Sequence, residues 1–167
     1  MDKSLTGNEI VRATNGEAKI RIYSDVYKMR SIDELFEGHD AIALLYQIKS
    51  VNYGHWVALI RRDNTIFYAD SYGDLPEEPL DYVSQEIKRK CHENHHYLAR
   101  LILEGGYECD FNDVPLQQLS EGINTCGRWV VSRIIFSSLS NENWAKLFSQ
   151  YDDPDALVVA FTDLVLG

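Results

Sequence analysis

The stretch Cys126 to Leu139 constrains the fold most. Trp129, Val130, Ile134 and Ile135 leave it no polar stripe wide enough for a surface helix, so the spacing predicts a central, buried helix. Something apolar must cover it, and the middle of the chain supplies three closely spaced strand signals. Ala41–Tyr46 and His55–Ile60 are continuous apolar runs, and Thr65–Ala69 is rich in β-branched and aromatic residues. Arg62-Asp63-Asn64 is turn chemistry, which predicts an antiparallel hairpin between the last two.

Helical signals crowd the two ends of the chain. Leu5–Ala13 reads as a short helix. Ser31-Ile32-Asp33-Glu34 is a capping box that starts another through Phe36. Pro79–Glu93 carries Leu80, Val83 and Ile87 at helical spacing. Asn141–Gln150 and Pro154–Leu166 read as two further helices, the second with proline at its first position. Lys19–Tyr23, Tyr97–Leu103 and Tyr107–Phe111 read as additional strands. The expectation is an α+β fold with a central antiparallel sheet packed by helices. With 167 residues and no linker or repeat, it should form a single domain over 1–167.

Composition excludes several function classes. A net charge of −10 opposes a nucleic-acid surface, which needs clustered Lys and Arg. The one dense basic cluster, Lys88-Arg89-Lys90, is flanked by Glu86 and Glu93 and reads as a solvated helix face. No apolar run approaches a membrane span, and the N-terminus does not read as a signal peptide. Three cysteines, an odd count at irregular spacing, fit a reducing intracellular compartment (cytoplasm or nucleus) better than a disulfide framework. Cys91-His92 and His95-His96 form a dense knot with no second half, poor spacing for zinc, so no metal is expected.

Four residues in chain order carry the chemistry. Cys126 falls in the first turn of the buried helix, with Asn124 or Thr125 as N-cap, where free backbone N–H groups and the helix dipole favour a thiolate. A cysteine alone is more often a buried structural residue, but Gly127 beside it clears space for a substrate carbonyl. His55 heads a strand, and Gly54 before it suits close approach of a substrate backbone. Asp70 ends the next strand. Antiparallel pairing brings it beside His55, where it can accept from the far imidazole nitrogen. Its other reading is the start of the turn Asp70-Ser71-Tyr72-Gly73. Gln118 offers a side-chain N–H to an oxyanion, together with the Cys126 backbone N–H, and Gln117 competes for that role. Trp56 reads as core or as the wall of a narrow channel.

These residues resemble the adenain-like cysteine proteases, the group of adenovirus maturation protease and the SUMO- and NEDD8-deconjugating enzymes. The resemblance rests on Gly54-His55-Trp56-Val57-Ala58-Leu59, Phe67-Tyr68-Ala69-Asp70-Ser71-Tyr72-Gly73, Gln118 and Thr125-Cys126-Gly127-Arg128-Trp129. It covers about residues 5 to 140, and the short versions encoded by large DNA viruses and related mobile elements look closest. It implies a papain-like core in circularly permuted order, with His55 as base, Asp70 as its orienter, Cys126 as nucleophile and Gln118 as oxyanion donor. Gly54, Trp56 and Gly127 then line the substrate path, and no cofactor is needed.

The eight-residue step from Gln118 to Cys126 is a little longer than the family's usual spacing. Adenovirus protease is basic and uses DNA as a cofactor, a feature the acidic charge here speaks against. The resemblance implies cleavage after a small-residue tail, Gly-Gly or Gly-X, of ubiquitin, a ubiquitin-like protein or a polyprotein. The alternatives are a non-catalytic module that binds such tails, or an acetyltransferase using the same triad.

Overall fold

The computed structural model describes residues 4–50, 53–82, 88–89, 96–118 and 124–167. Its element order is α1 (Gly7–Ala13), β1 (Ala18–Ile22), α2 (Ile32–Phe36), β2 (Ala41–Ser50), β3 (Tyr53–Arg62), β4 (Thr65–Ala69), α3 (Tyr97–Glu104), β5 (Glu108–Phe111), α4 (Cys126–Ile135), α5 (Asn141–Ser149) and α6 (Pro154–Leu166). Short 3-10 turns cover Tyr23–Lys28 and Glu78–Tyr82. The fold is α+β, as the segment pattern predicts. No helix among the described residues is long and apolar enough to cross a membrane.

The five strands form one sheet in chain order, β1-β2-β3-β4-β5. Its centre is antiparallel, with Ala43 opposite Ala58 and Leu59 opposite Tyr68. Both edge pairs, β1 with β2 and β4 with β5, are parallel, so the sheet is mixed rather than wholly antiparallel. The reason is connectivity. A helical crossover precedes β2 and another precedes β5, and a crossover returns the chain in the same direction.

Alternation along the strands separates two cores. One face presents Ala41, Ala43, Ala58, Ile60, Phe67 and Ala69, and these small side chains let α4 come close with Trp129, Val130 and Ile134. Trp129, Trp144 and Phe148 lock α4 to α5 by edge-to-face packing, with Trp129 and Phe148 ring centroids 4.9 Å apart. The other face presents Ile42, Leu44, Tyr46, Val57, Leu59, Ile66 and Tyr68, covered by α2, α3 and the first 3-10 turn. The buried central helix expected from its composition is therefore α4, packed against β3.

Several boundaries differ from the sequence reading, each for a physical reason. Tyr97–Leu103 is helical, not extended. It buries Leu98, Leu101 and Ile102, a helical spacing that a short apolar run conceals. Its His96 N-cap makes no side-chain bond, and the carboxylate of Glu77 takes that place by accepting from the N–H groups of Leu98 (3.0 Å) and Ala99 (3.1 Å). The first helix starts at Gly7 because Thr6 and Glu9 form a reciprocal capping box. At Ser31 only half of the expected box forms: Ser31 Oγ accepts from Glu34 N–H, while the Glu34 carboxylate accepts from Arg30 N–H.

Tyr23 leaves the strand and turns its hydroxyl to Glu77. The α4 helix ends at Ile135, not Leu139, because the fully buried Arg133 guanidinium takes the Phe136 and Leu139 carbonyls. The helix expected over Pro79–Glu93 begins as a 3-10 turn, and most of its remainder lies outside the described residues.

Candidate active site

The site forms where the ends of β3 and β4 meet the start of α4. The β3–β4 ladder closes at Ala58 opposite Ala69, so Asp70 leaves the sheet diagonally across from His55. The His55 Nε2 lies 2.9 Å from Asp70 Oδ1, and both side chains are buried. Asp70 Oδ1 also accepts the Tyr72 N–H at 2.8 Å. Its Oδ2 has no hydrogen-bond partner among the described residues. A buried carboxylate so sparsely compensated strongly favours a positive ring beside it.

Burial alone would push the His55 ring toward neutrality. The charge of Asp70, its hydrogen bond, and the hydrogen bond and charge of Cys126 outweigh that and raise His55 from 6.5 to about 10. With Nε2 occupied by Asp70, Nδ1 is the nitrogen left to face the thiol. The free Cys126 opens α4, and its Sγ accepts the Trp56 backbone N–H at 3.5 Å. The fold thus brings His55, Asp70 and Cys126 to one place.

The start of α4 departs from ordinary capping. Thr125 stands at the N-cap but makes no side-chain cap bond. Its hydroxyl donates to Asp155 Oδ1 at 2.6 Å instead. Its carbonyl accepts the N–H groups of Arg128 and Trp129. No described residue accepts from the backbone N–H of Cys126 or Gly127. Among the described residues, two donors at this helix N-terminus thus lack an acceptor.

The two glutamines occupy different environments. Gln117 is buried: its Oε1 accepts from Ser71 Oγ at 2.7 Å and its Nε2 donates to the Tyr72 hydroxyl at 3.2 Å. Gln118 is exposed, with its backbone N–H donated to Asp155 Oδ2 at 2.8 Å. The same carboxylate that binds Thr125 therefore holds Gln118 near the helix start, and the Gln118 carboxamide makes no bond to another described residue. The carboxamide of Gln117 is spent on structure.

The three residues expected along a substrate path each make close contacts within the protein. A Cβ on Gly54 would land on the Tyr46 carbonyl oxygen, so the close approach that Gly54 permits is that of its own β2 neighbour, beside the register shift at Gln47 and Ser50. The absence of a side chain at Gly54 is therefore required within the sheet itself. A Cβ on Gly127 would meet Leu5 Cβ at 3.1 Å and Trp56 Cδ1 at 3.4 Å, so a side chain at this position would crowd the packing of α1 and Trp56. Trp56 is half-buried, packed against Gly7, Gly127 and the first core.

Tyr72, Asn112 and Asp155 are site residues that the sequence reading missed. The Tyr72 ring stacks on His55 with centroids 4.9 Å apart, and burial together with the charges of Cys126 and Asp70 raises its hydroxyl to about 12. Asn112 Nδ2 donates to the Asp70 carbonyl at 2.8 Å and fixes the turn that carries the carboxylate. Nearby, burial and the charges of Asp70 and Glu78 raise Asp74 to about 6. No local pattern marks these residues: Asn112 and Asp155 read as a loop residue and a helix start. Cys91, His92 and His95 lie outside the described residues. His96 is exposed, 3.7 Å from Glu77.

No protein-family model matches the chain. Two crystal structures of the ASFV pS273R protease, one of them the Se-Met form, are similar to it at TM-scores of 0.49 and 0.48, each with 14% sequence identity over 96% of this chain and 67% of theirs. The uncharacterized protein V9 of Sputnik virophage is 31% identical over 165 residues, 95% of this chain and 94% of that protein. The likeness runs the length of both proteins, and the chain belongs to the family of Sputnik virophage protein V9.

Proposed function

We propose that the chain is a cysteine peptidase in which Cys126 is the nucleophile, His55 the general acid and base, Asp70 its orienter and Gln118 the oxyanion donor. One observation carries the reading: a buried His55 pinned between Asp70 at 2.9 Å and the free Cys126 at a helix N-terminus. A buried imidazole held positive beside a thiol is what a thiolate–imidazolium pair requires.

The Cys126 thiolate adds to the scissile carbonyl carbon. The resulting oxyanion is met by the Cys126 backbone N–H and the Gln118 carboxamide. The His55 imidazolium gives its proton to the leaving amine as the C–N bond breaks, leaving a thioester. His55 then takes a proton from water, and the hydroxide adds to the thioester and expels the thiolate, releasing the acid. Asp70 holds the ring in place and its charge favours the imidazolium throughout. Between the two glutamines, the Gln118 carboxamide has no partner among the described residues, which supports its assignment, since that of Gln117 is occupied by Ser71 and Tyr72.

The substrate class follows from the motif resemblance. Trp56, packed over the start of α4, is the channel wall that admits a tail of small residues, Gly-Gly or Gly-X. The bond cleaved joins ubiquitin or a ubiquitin-like protein to its target, or lies within a viral polyprotein. A free nucleophilic thiol works in a reducing compartment, which the interior of a host cell supplies.

A panel of fluorogenic peptides ending in Gly-Gly and Gly-X, read against wild type and Cys126→Ser, tests the proposal. Hydrolysis by wild type and none by the variant is expected. Hydrolysis that persists in Cys126→Ser overturns the assignment, as does absence of turnover together with no covalent capture by ubiquitin- or SUMO-type C-terminal electrophiles.

A further inference from the structure

The Asp155 carboxylate joins three parts of the chain. It sits in the first turn of α6 with 9% exposure and no cation paired to it among the described residues. Its Oδ2 accepts the Gln118 N–H at 2.8 Å, while its Oδ1 accepts the Thr125 hydroxyl at 2.6 Å and the Trp129 indole N–H at 3.0 Å. Burying a carboxylate is costly unless its oxygens are hydrogen-bonded, and here three donors meet that need. Those donors come from the Gln118 segment, the residue before Cys126 and one turn further along α4.

We infer that Asp155 is a positioning residue that sets the Gln118 carboxamide against the Cys126 backbone N–H, fixing the width of the oxyanion site. The inference rests on the peptidase reading above. Two features of the geometry support it. First, Gln118 and Thr125 are separated in sequence but share one rigid anchor, so Asp155 spans the interval between oxyanion donor and nucleophile. Second, by holding the Thr125 hydroxyl turned toward itself, Asp155 keeps it from capping the helix, and the Gly127 N–H that such a cap would take stays without an acceptor among the described residues. The carboxylate needs both of its oxygens. An isosteric amide has one acceptor oxygen and places an N–H₂ against a donor, so Asp155→Asn must release either Gln118 or the Thr125–Trp129 pair.

The test compares wild type, Asp155→Asn, Gln118→Ala and the double variant on the Gly-Gly fluorogenic peptides. Alkylation of Cys126 by iodoacetamide, which forms no oxyanion, is followed in parallel. Asp155→Asn is expected to lower kcat by at least about tenfold with KM within about twofold, since small misplacements of a catalytic donor carry losses of this order. Its alkylation rate should equal that of wild type. In the Gln118→Ala background the same substitution should have little further effect.

An unchanged kcat in Asp155→Asn, or full additivity with Gln118→Ala, overturns the inference and leaves the peptidase reading standing. Absence of Cys126-dependent hydrolysis in wild type overturns that reading and this inference with it. Should Asp155→Asn fail to fold, Thr125→Val removes one donor only. A smaller loss of kcat at unchanged KM then supports the inference, and an unchanged kcat overturns it.

Discussion

The Trp56 backbone N–H lies 3.5 Å from the Cys126 sulfur, although seventy residues separate the two in sequence. This contact joins strand β3, which carries His55 on its opposite face, to the first residue of α4. Side chains of consecutive strand residues point to opposite faces. Trp56 therefore packs on the helical layer beside Cys126 while His55 turns toward Asp70 and Tyr72. Two neighbouring residues of one strand thus meet Cys126 differently, Trp56 through its backbone N–H and His55 through its ring.

Removal of the Asp70 charge should change the pH profile in a set direction. His55 is raised from 6.5 to about 10, so wild-type kcat/KM is expected to hold across neutral pH and to fall as pH rises through about 10, where the imidazolium is lost. Asp70→Asn keeps the shape and deletes the charge, so the alkaline limb should move to lower pH. The accompanying loss of kcat is expected on the order of 10²- to 10⁴-fold, by analogy with other orienting carboxylates. A pH–rate series on the fluorogenic substrates measures both.

The two glutamines should separate by phenotype. Gln118→Ala is expected to lower kcat by about 10²- to 10³-fold without loss of thermal stability, because its exposed carboxamide bonds no other described residue. Gln117→Ala leaves the buried Ser71 hydroxyl and the Tyr72 hydroxyl without their partner, and should destabilise the fold by about 1–3 kcal/mol. Urea denaturation beside steady-state kinetics distinguishes them.

Gly54→Ala should unfold or severely weaken the protein, since the added Cβ lands on backbone that cannot yield without parting β2 from β3. A destabilisation of about 3 kcal/mol or more is expected. A loss of activity at full stability would instead point to a direct role toward substrate.

Glu77→Ala should loosen α3 selectively. The carboxylate caps Leu98 and Ala99 and accepts from Tyr23, so its loss leaves the buried Leu98 N–H and the part-buried Ala99 N–H without their acceptor and removes one bond of Tyr23. About 2–4 kcal/mol of stability should go with it, from the cap and the unpaired groups together. Amide exchange should quicken first in Tyr97–Glu104.

Periodicity and motif order in the sequence alone determined the helix–strand plan, the buried helix at Cys126 and the approach of Asp70 to His55. The last follows because a hairpin fixes which ends of two adjacent strands meet. Tyr97–Leu103 reads as a strand because the group that caps the helix there, Glu77, lies some twenty residues upstream, where no local pattern reveals it. The parallel edges of the sheet were hidden for a similar reason, since strand direction is set by crossovers and not by composition.

Only the tertiary structure decided what the remaining polar residues do. A glutamine, a threonine hydroxyl and an indole meet on Asp155 because α6 packs against the start of α4, and hydrogen-bond partners chosen by packing leave no trace in spacing. Sequence named the groups capable of the chemistry, while long-range packing settled which of their donors and acceptors remain free to take part.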